Sequence, residues 1–70
     1  MAGLKWNVYV GILQADGTTK LVTKVDNATK TAYWNEGTPL KMTFSRAKDL
    51  TWALSVNGYN AYVIQSLYEY

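Results

Sequence analysis

The stretch that decides the fold is Trp6-Asn7-Val8-Tyr9-Val10-Gly11-Ile12-Leu13, followed by Asp16-Gly17 and then Lys20-Leu21-Val22-Thr23-Lys24-Val25. Two runs rich in β-branched and aromatic side chains flank a dipeptide suited to a tight hairpin, and side chains along a strand alternate between faces. Asp-Gly is favoured in a two-residue turn because both central residues need positive φ. That turn predicts a register in which Ile12 faces Leu21, Val10 faces Thr23 and Val8 faces Val25, with Trp6 on the same side. Those residues form an apolar core face. The opposite face then pairs Leu13 with Lys20, Gly11 with Val22 and Tyr9 with Lys24. A slip by one residue would exchange the faces of one strand, so the pattern itself argues for a register.

Outward from the hairpin, Thr29-Lys30-Thr31-Ala32-Tyr33-Trp34 has strand composition between the turn signals Asp26-Asn27 and Asn35-Glu36-Gly37. It reads as a third, short strand near an edge. Pro39 lacks an N–H and favours an extended approach to the next element. Residues 44–57 read as a helix, with Thr43 or Ser45 able to cap its free N–H groups and Asn57-Gly58 supplying a left-handed stop. At 100° per residue, Phe44, Ala47, Leu50, Thr51 and Leu54 share one side, whereas Trp52 and Val56 lie far from it. Tyr59 to Tyr68 read as a last strand, with Ala61 and Val63 suited to a helix-covered face and Tyr62, Ile64 and Tyr68 pointing away. Apolar residues on both of its faces suggest an interior strand. The expectation is a single α+β domain over residues 1–70, β-β-(β)-α-β, with a three- to four-stranded sheet and one helix packed on one face.

Composition removes many functions. Seventy residues without cysteine or histidine offer no disulfide, no ordinary zinc, haem or iron–sulfur site, and no Cys–His or Ser–His nucleophile. No cofactor or metal is expected. The glycines are isolated and no phosphate-binding loop is present. The acids Asp16, Asp26, Glu36, Asp49 and Glu69 show no pairing that predicts a shared catalytic site, so an enzyme is not expected. Net charge is +2, and every basic residue falls within 1–48. No apolar run is long enough to span a membrane, and Met1 to Trp6 lack the pattern of a signal peptide, which points to a soluble cytoplasmic protein.

Tyrosine, tryptophan and lysine remain as working residues. One helix covers one sheet face, and the predicted register leaves Tyr9, Leu13, Val22, Tyr62, Ile64 and Tyr68 on the other, with Lys20 and Lys24 among them. Either the sheet twists and the 29–42 segment folds over this face, or the tyrosines cap its rim, or it is a contact surface, since tyrosine offers large area at small entropy cost. Trp52 and Val56, one turn apart, form a second surface unless Tyr33-Trp34 covers them. A protein partner, a second copy of the chain included, is the leading expectation. Nucleic acid is the alternative, with Tyr9 and Tyr62 stacking on bases and Lys20 and Lys24 meeting phosphates.

Ala47, Leu50, Leu54, Gly58-Tyr59 and Ala61-Tyr62-Val63-Ile64 resemble the closing helix–strand half of SPOR domains. That resemblance spans residues 47–64 and implies glycan binding on a sheet surface. The first half departs from it, because a SPOR domain has a helix after its first strand where this chain has the Asp16-Gly17 hairpin. The order of hairpin, third strand and helix is also similar to the small DNA-binding domains at integrase N-termini. The Thr, Asn, Tyr and Lys content is similar to that of short proteins of Gram-positive bacteria and their phages.

Overall fold

The computed structural model describes residues 6–29 and 31–70. The expected reading of Met1 to Lys5, and of Lys30 within the third strand, lies outside them. Strand β1 (Asn7–Leu13) is central, flanked by β2 (Thr19–Leu21) on one side and β5 (Asn60–Ser66) on the other, both antiparallel to it. Strands β3 (Lys24–Asp26) and β4 (Thr31–Tyr33) form a separate antiparallel pair, and helix α1 (Phe44–Val56) precedes β5. The α+β class is as expected, with five strands in two sheets. The second expected strand is two, because the chain bends away from β1 after Val22.

The hairpin register differs by one residue from the expected one. Gly11 faces Leu21, Ile12 faces Lys20 and Leu13 faces Thr19. The cause is the loop: the Gly17 N–H donates to the Gln14 carbonyl at 3.0 Å and the Gln14 N–H to the Thr18 carbonyl at 2.7 Å. Ala15, Asp16 and Gly17 therefore form a three-residue loop, with Gly17 left-handed at φ 88°. The Asp16 carboxylate accepts from the Thr18 hydroxyl at 2.7 Å and the Thr18 N–H at 3.0 Å, which closes it. These bonds, the side-chain one foremost, hold the Asp16 carboxyl below its ordinary pKa.

The slip moves side chains between faces. Val22 joins Val8, Val10 and Ile12 in the core beneath α1, and its N–H donates to the Val10 carbonyl at 2.8 Å. Thr23, expected opposite Val10, instead donates its N–H to the Tyr33 carbonyl and starts the second hairpin. Where β2 diverges, residues 40–42 close the gap: the Leu40 N–H donates to the Val22 carbonyl and the Met42 N–H to that of Val8. Helix α1 completes this layer with Ala47 and Leu54 buried, and Val25, Ala32, Trp34, Met42, Leu50, Ala61 and Val63 pack around the cluster. Thr43 caps α1 by accepting the Arg46 N–H, and Gly58 at φ 93° follows Asn57 at its end.

Strand β5 is an edge, not the interior strand its two apolar faces suggested. Its second apolar face is partly covered from within the chain. Tyr62 lies opposite Gly11 and reaches across the central strand to the Thr19 hydroxyl. Gly11 permits this, since a Cβ there would sit 2.7 Å from Ile64 Cδ1 and 2.9 Å from Thr19 Cγ2. Farther along the same face, Tyr70 meets Tyr9 edge-on at 5.3 Å between ring centroids, and the Tyr70 N–H donates to the Tyr9 hydroxyl.

Candidate functional site

The two surfaces expected from the sequence have different outcomes. On the sheet, Tyr9 is fully buried and Val22 belongs to the core. The residues 67–70, rather than 29–42, fold over this face, held by Tyr70 on Tyr9, by Asn7 donating to the Tyr68 carbonyl and by a Lys41–Glu69 ion pair. Lys20 stands opposite Ile12 on the helix side of β2, and Lys24 lies in β3 of the other sheet, with its ammonium 5.8 Å from the Tyr33 ring centroid. Tyr9, Tyr62, Lys20 and Lys24 therefore do not share one open face. The stacking platform is not assembled. Tyr62 stays partly exposed but engaged with Thr19. Tyr68 is well exposed, past the end of β5, where its N–H donates to Ser66 Oγ.

The helix surface is open. Trp52 is 70% exposed and Val56 65%, because α1 turns its core stripe toward the sheet and these two lie opposite Ala47 and Leu54. Tyr33-Trp34 does not cover them. The Trp34 ring instead packs edge-on against Tyr59, 5.0 Å between centroids, and contributes to the core.

Trp52 forms one rim of a groove of about 990 Å³ between α1, the β3–β4 hairpin and the 40–43 segment. Val25, Leu40, Met42, Leu50 and Ala53 supply its apolar lining, and Lys41, Arg46 and Asp49 its charges. Backbone constraints place each part. The bonds of Leu40 and Met42 to Val22 and Val8 fix one wall, and the Thr43 cap fixes the start of the other. Arg46 ties α1 to the third side by donating to Asn27 Oδ1 in the β3–β4 turn, where Asp26 Oδ1 accepts from the Ala28 N–H. Among the described residues the one ion pair is Lys41–Glu69, so the Arg46 guanidinium has a neutral partner and keeps its charge toward the groove.

Sequence reasoning found Trp52 but not the residues that make a groove beside it. Leu40, Met42 and Arg46 belong to segments whose meeting depends on the departure of β2 from the sheet. The apolar alternation of Leu40 and Met42 after Pro39 was the available signal. Among the described residues there is no group of three or more acidic side chains placed to hold a metal ion, and no helix long and apolar enough to cross a membrane. No family model, curated protein or solved structure matches the chain.

Proposed function

We propose that this chain is a small non-enzymatic binding module that takes a segment of a protein partner in the groove beside Trp52. The observation that carries this is a tryptophan 70% exposed at the rim of an apolar groove. Tryptophan is enriched among residues that dominate binding energy, and a pocket beside it gives an incoming side chain somewhere to be desolvated. The charge of the lining sets the occupant's chemistry. Lys41 is paired with Glu69, which leaves Arg46 and Asp49 as the free charges of the groove, and Arg46 has no carboxylate partner among the described residues. The fitting segment is an extended or helical peptide with a large apolar side chain next to a carboxylate, which Arg46 receives in a charge-assisted bond.

Selection from a displayed library of random peptides, followed by calorimetry on the enriched sequences, tests this reading. Enrichment of an aromatic or leucine anchor beside Asp or Glu is expected. Trp52→Ala should weaken binding at least about tenfold while the thermal midpoint stays near the parent's, since this side chain packs little in the free protein. Failure to enrich such peptides, or equal affinity in Trp52→Ala, overturns the reading.

A further inference from the structure

The outer edge of β5 presents a second surface, independent of the groove. On β1, the carbonyls of Val8 and Val10 accept from Met42 and Val22, so the even-numbered residues turn their backbone groups away from β5. Antiparallel strands alternate the direction of these groups, so the odd-numbered residues of β1 bond to Asn60, Tyr62, Ile64 and Ser66. Ala61, Val63 and Gln65 therefore direct their N–H and C=O groups outward. Among the described residues nothing pairs with them.

Long edges are usually blunted by charge, proline, a bulge or shortness. Strand β5 has none of these: it runs seven residues as Asn-Ala-Tyr-Val-Ile-Gln-Ser and pairs with β1 without interruption. We infer that two copies of this chain associate through antiparallel pairing of their β5 edges, about a two-fold axis at Val63. In that register Val63 meets its own counterpart and Ala61 meets Gln65, and each such pair exchanges two backbone hydrogen bonds. Tyr62 stands opposite Ile64 of the second copy, an aromatic–β-branched pair of the favourable kind, and Asn60 stands opposite Ser66. The pattern is self-complementary: apolar residues meet at the centre, polar ones meet at the ends, and no like charges face each other. The result is a continuous six-stranded sheet whose outer strands are both β2. Those edges are three residues long and carry Lys20, so association stops at the dimer.

Sedimentation equilibrium from about 10 µM to about 1 mM, the range for a small interface, tests the pairing. The parent is expected to shift from monomer to dimer. Gln65→Pro removes an outward N–H without touching the β1 ladder and should remain monomeric, as should Gln65→Lys, which adds charge to the edge. Amide exchange supplies a local readout: Ala61, Val63 and Gln65 should gain protection as concentration rises. A parent that stays monomeric throughout, a dimer that persists in both variants, or a dimer whose three amides stay unprotected overturns the inference. The last result would place the contact elsewhere.

Discussion

The two edges of the three-stranded sheet differ in every respect that governs strand pairing. Strand β2 is three residues long, carries Lys20, and ends where the chain swings out to form the β3–β4 hairpin, with Met42 taking over its place beside β1 and Leu40 bonded to Val22. Strand β5 is seven residues long, uncharged and regular, with an outer row of backbone groups that nothing among the described residues pairs. One edge is closed by local sequence and by the path of the chain, and the other is left available. The difference teaches that exposure of an edge is not uniform around a small sheet: a chain with few elements covers one side by bending, and the other side then requires a partner or water.

The central strand holds both edges, so the largest expected effect comes from disturbing it. Gly11→Val introduces a branched side chain where even a Cβ falls 2.7 Å from Ile64 and 2.9 Å from Thr19. It should displace Tyr62, separate the two edges and lower stability by about 2 kcal/mol, read by urea denaturation. An unchanged midpoint would mean that Tyr62 and Ile64 move aside freely. Tyr62→Phe tests the tie between the edges alone. It keeps the ring over Gly11 but removes the hydroxyl that meets Thr19, and a loss of about 0.5 kcal/mol is expected for an exposed bond of this kind. No loss would show that the ring, not the hydroxyl, joins the strands.

The smallest effect concerns the loop that sets the β2 register. Bonds from the Thr18 hydroxyl and N–H lower the Asp16 pKa in the folded state. A carboxyl depressed on folding contributes stability that is present above its unfolded pKa and is lost as pH falls through the folded one. Acid should therefore weaken the hairpin below about pH 4. Asp16→Asn should flatten that part of the stability–pH curve, and an identical curve in the variant would remove Asp16 from the account.

Much of the fold was legible in the chain. The spacing of Ala47, Leu50 and Leu54 with Thr43 before them and Gly58 after fixes a helix and its core side, because capping and periodicity are local. Gly17 announces a turn. The same dipeptide fits loops of two or three residues, however, and only the bonds of Gln14 with Gly17 and Thr18 select the longer one. That one-residue difference moved Val22 into the core and Thr23 out of it. Tyr9 looked exposed for a related reason: nothing local shows that Tyr70 lies over it.

By itself, then, the sequence determined the α+β class, the helix with Ala47, Leu50 and Leu54 on its inner side and Trp52 and Val56 on the far one, and the absence of cysteine and histidine chemistry. These come from residue type and short-range spacing. Tertiary structure alone decided which face each side chain of β2 takes, that β5 is an edge, that Tyr70 covers Tyr9 while Trp52 and Val56 stay open and Phe44 half-exposed, and that Leu40, Met42 and Arg46 meet Trp52 around one groove. Each depends on contacts between residues far apart in the chain. Such contacts are fixed by loop geometry and by competition for the same surface, which no local pattern records.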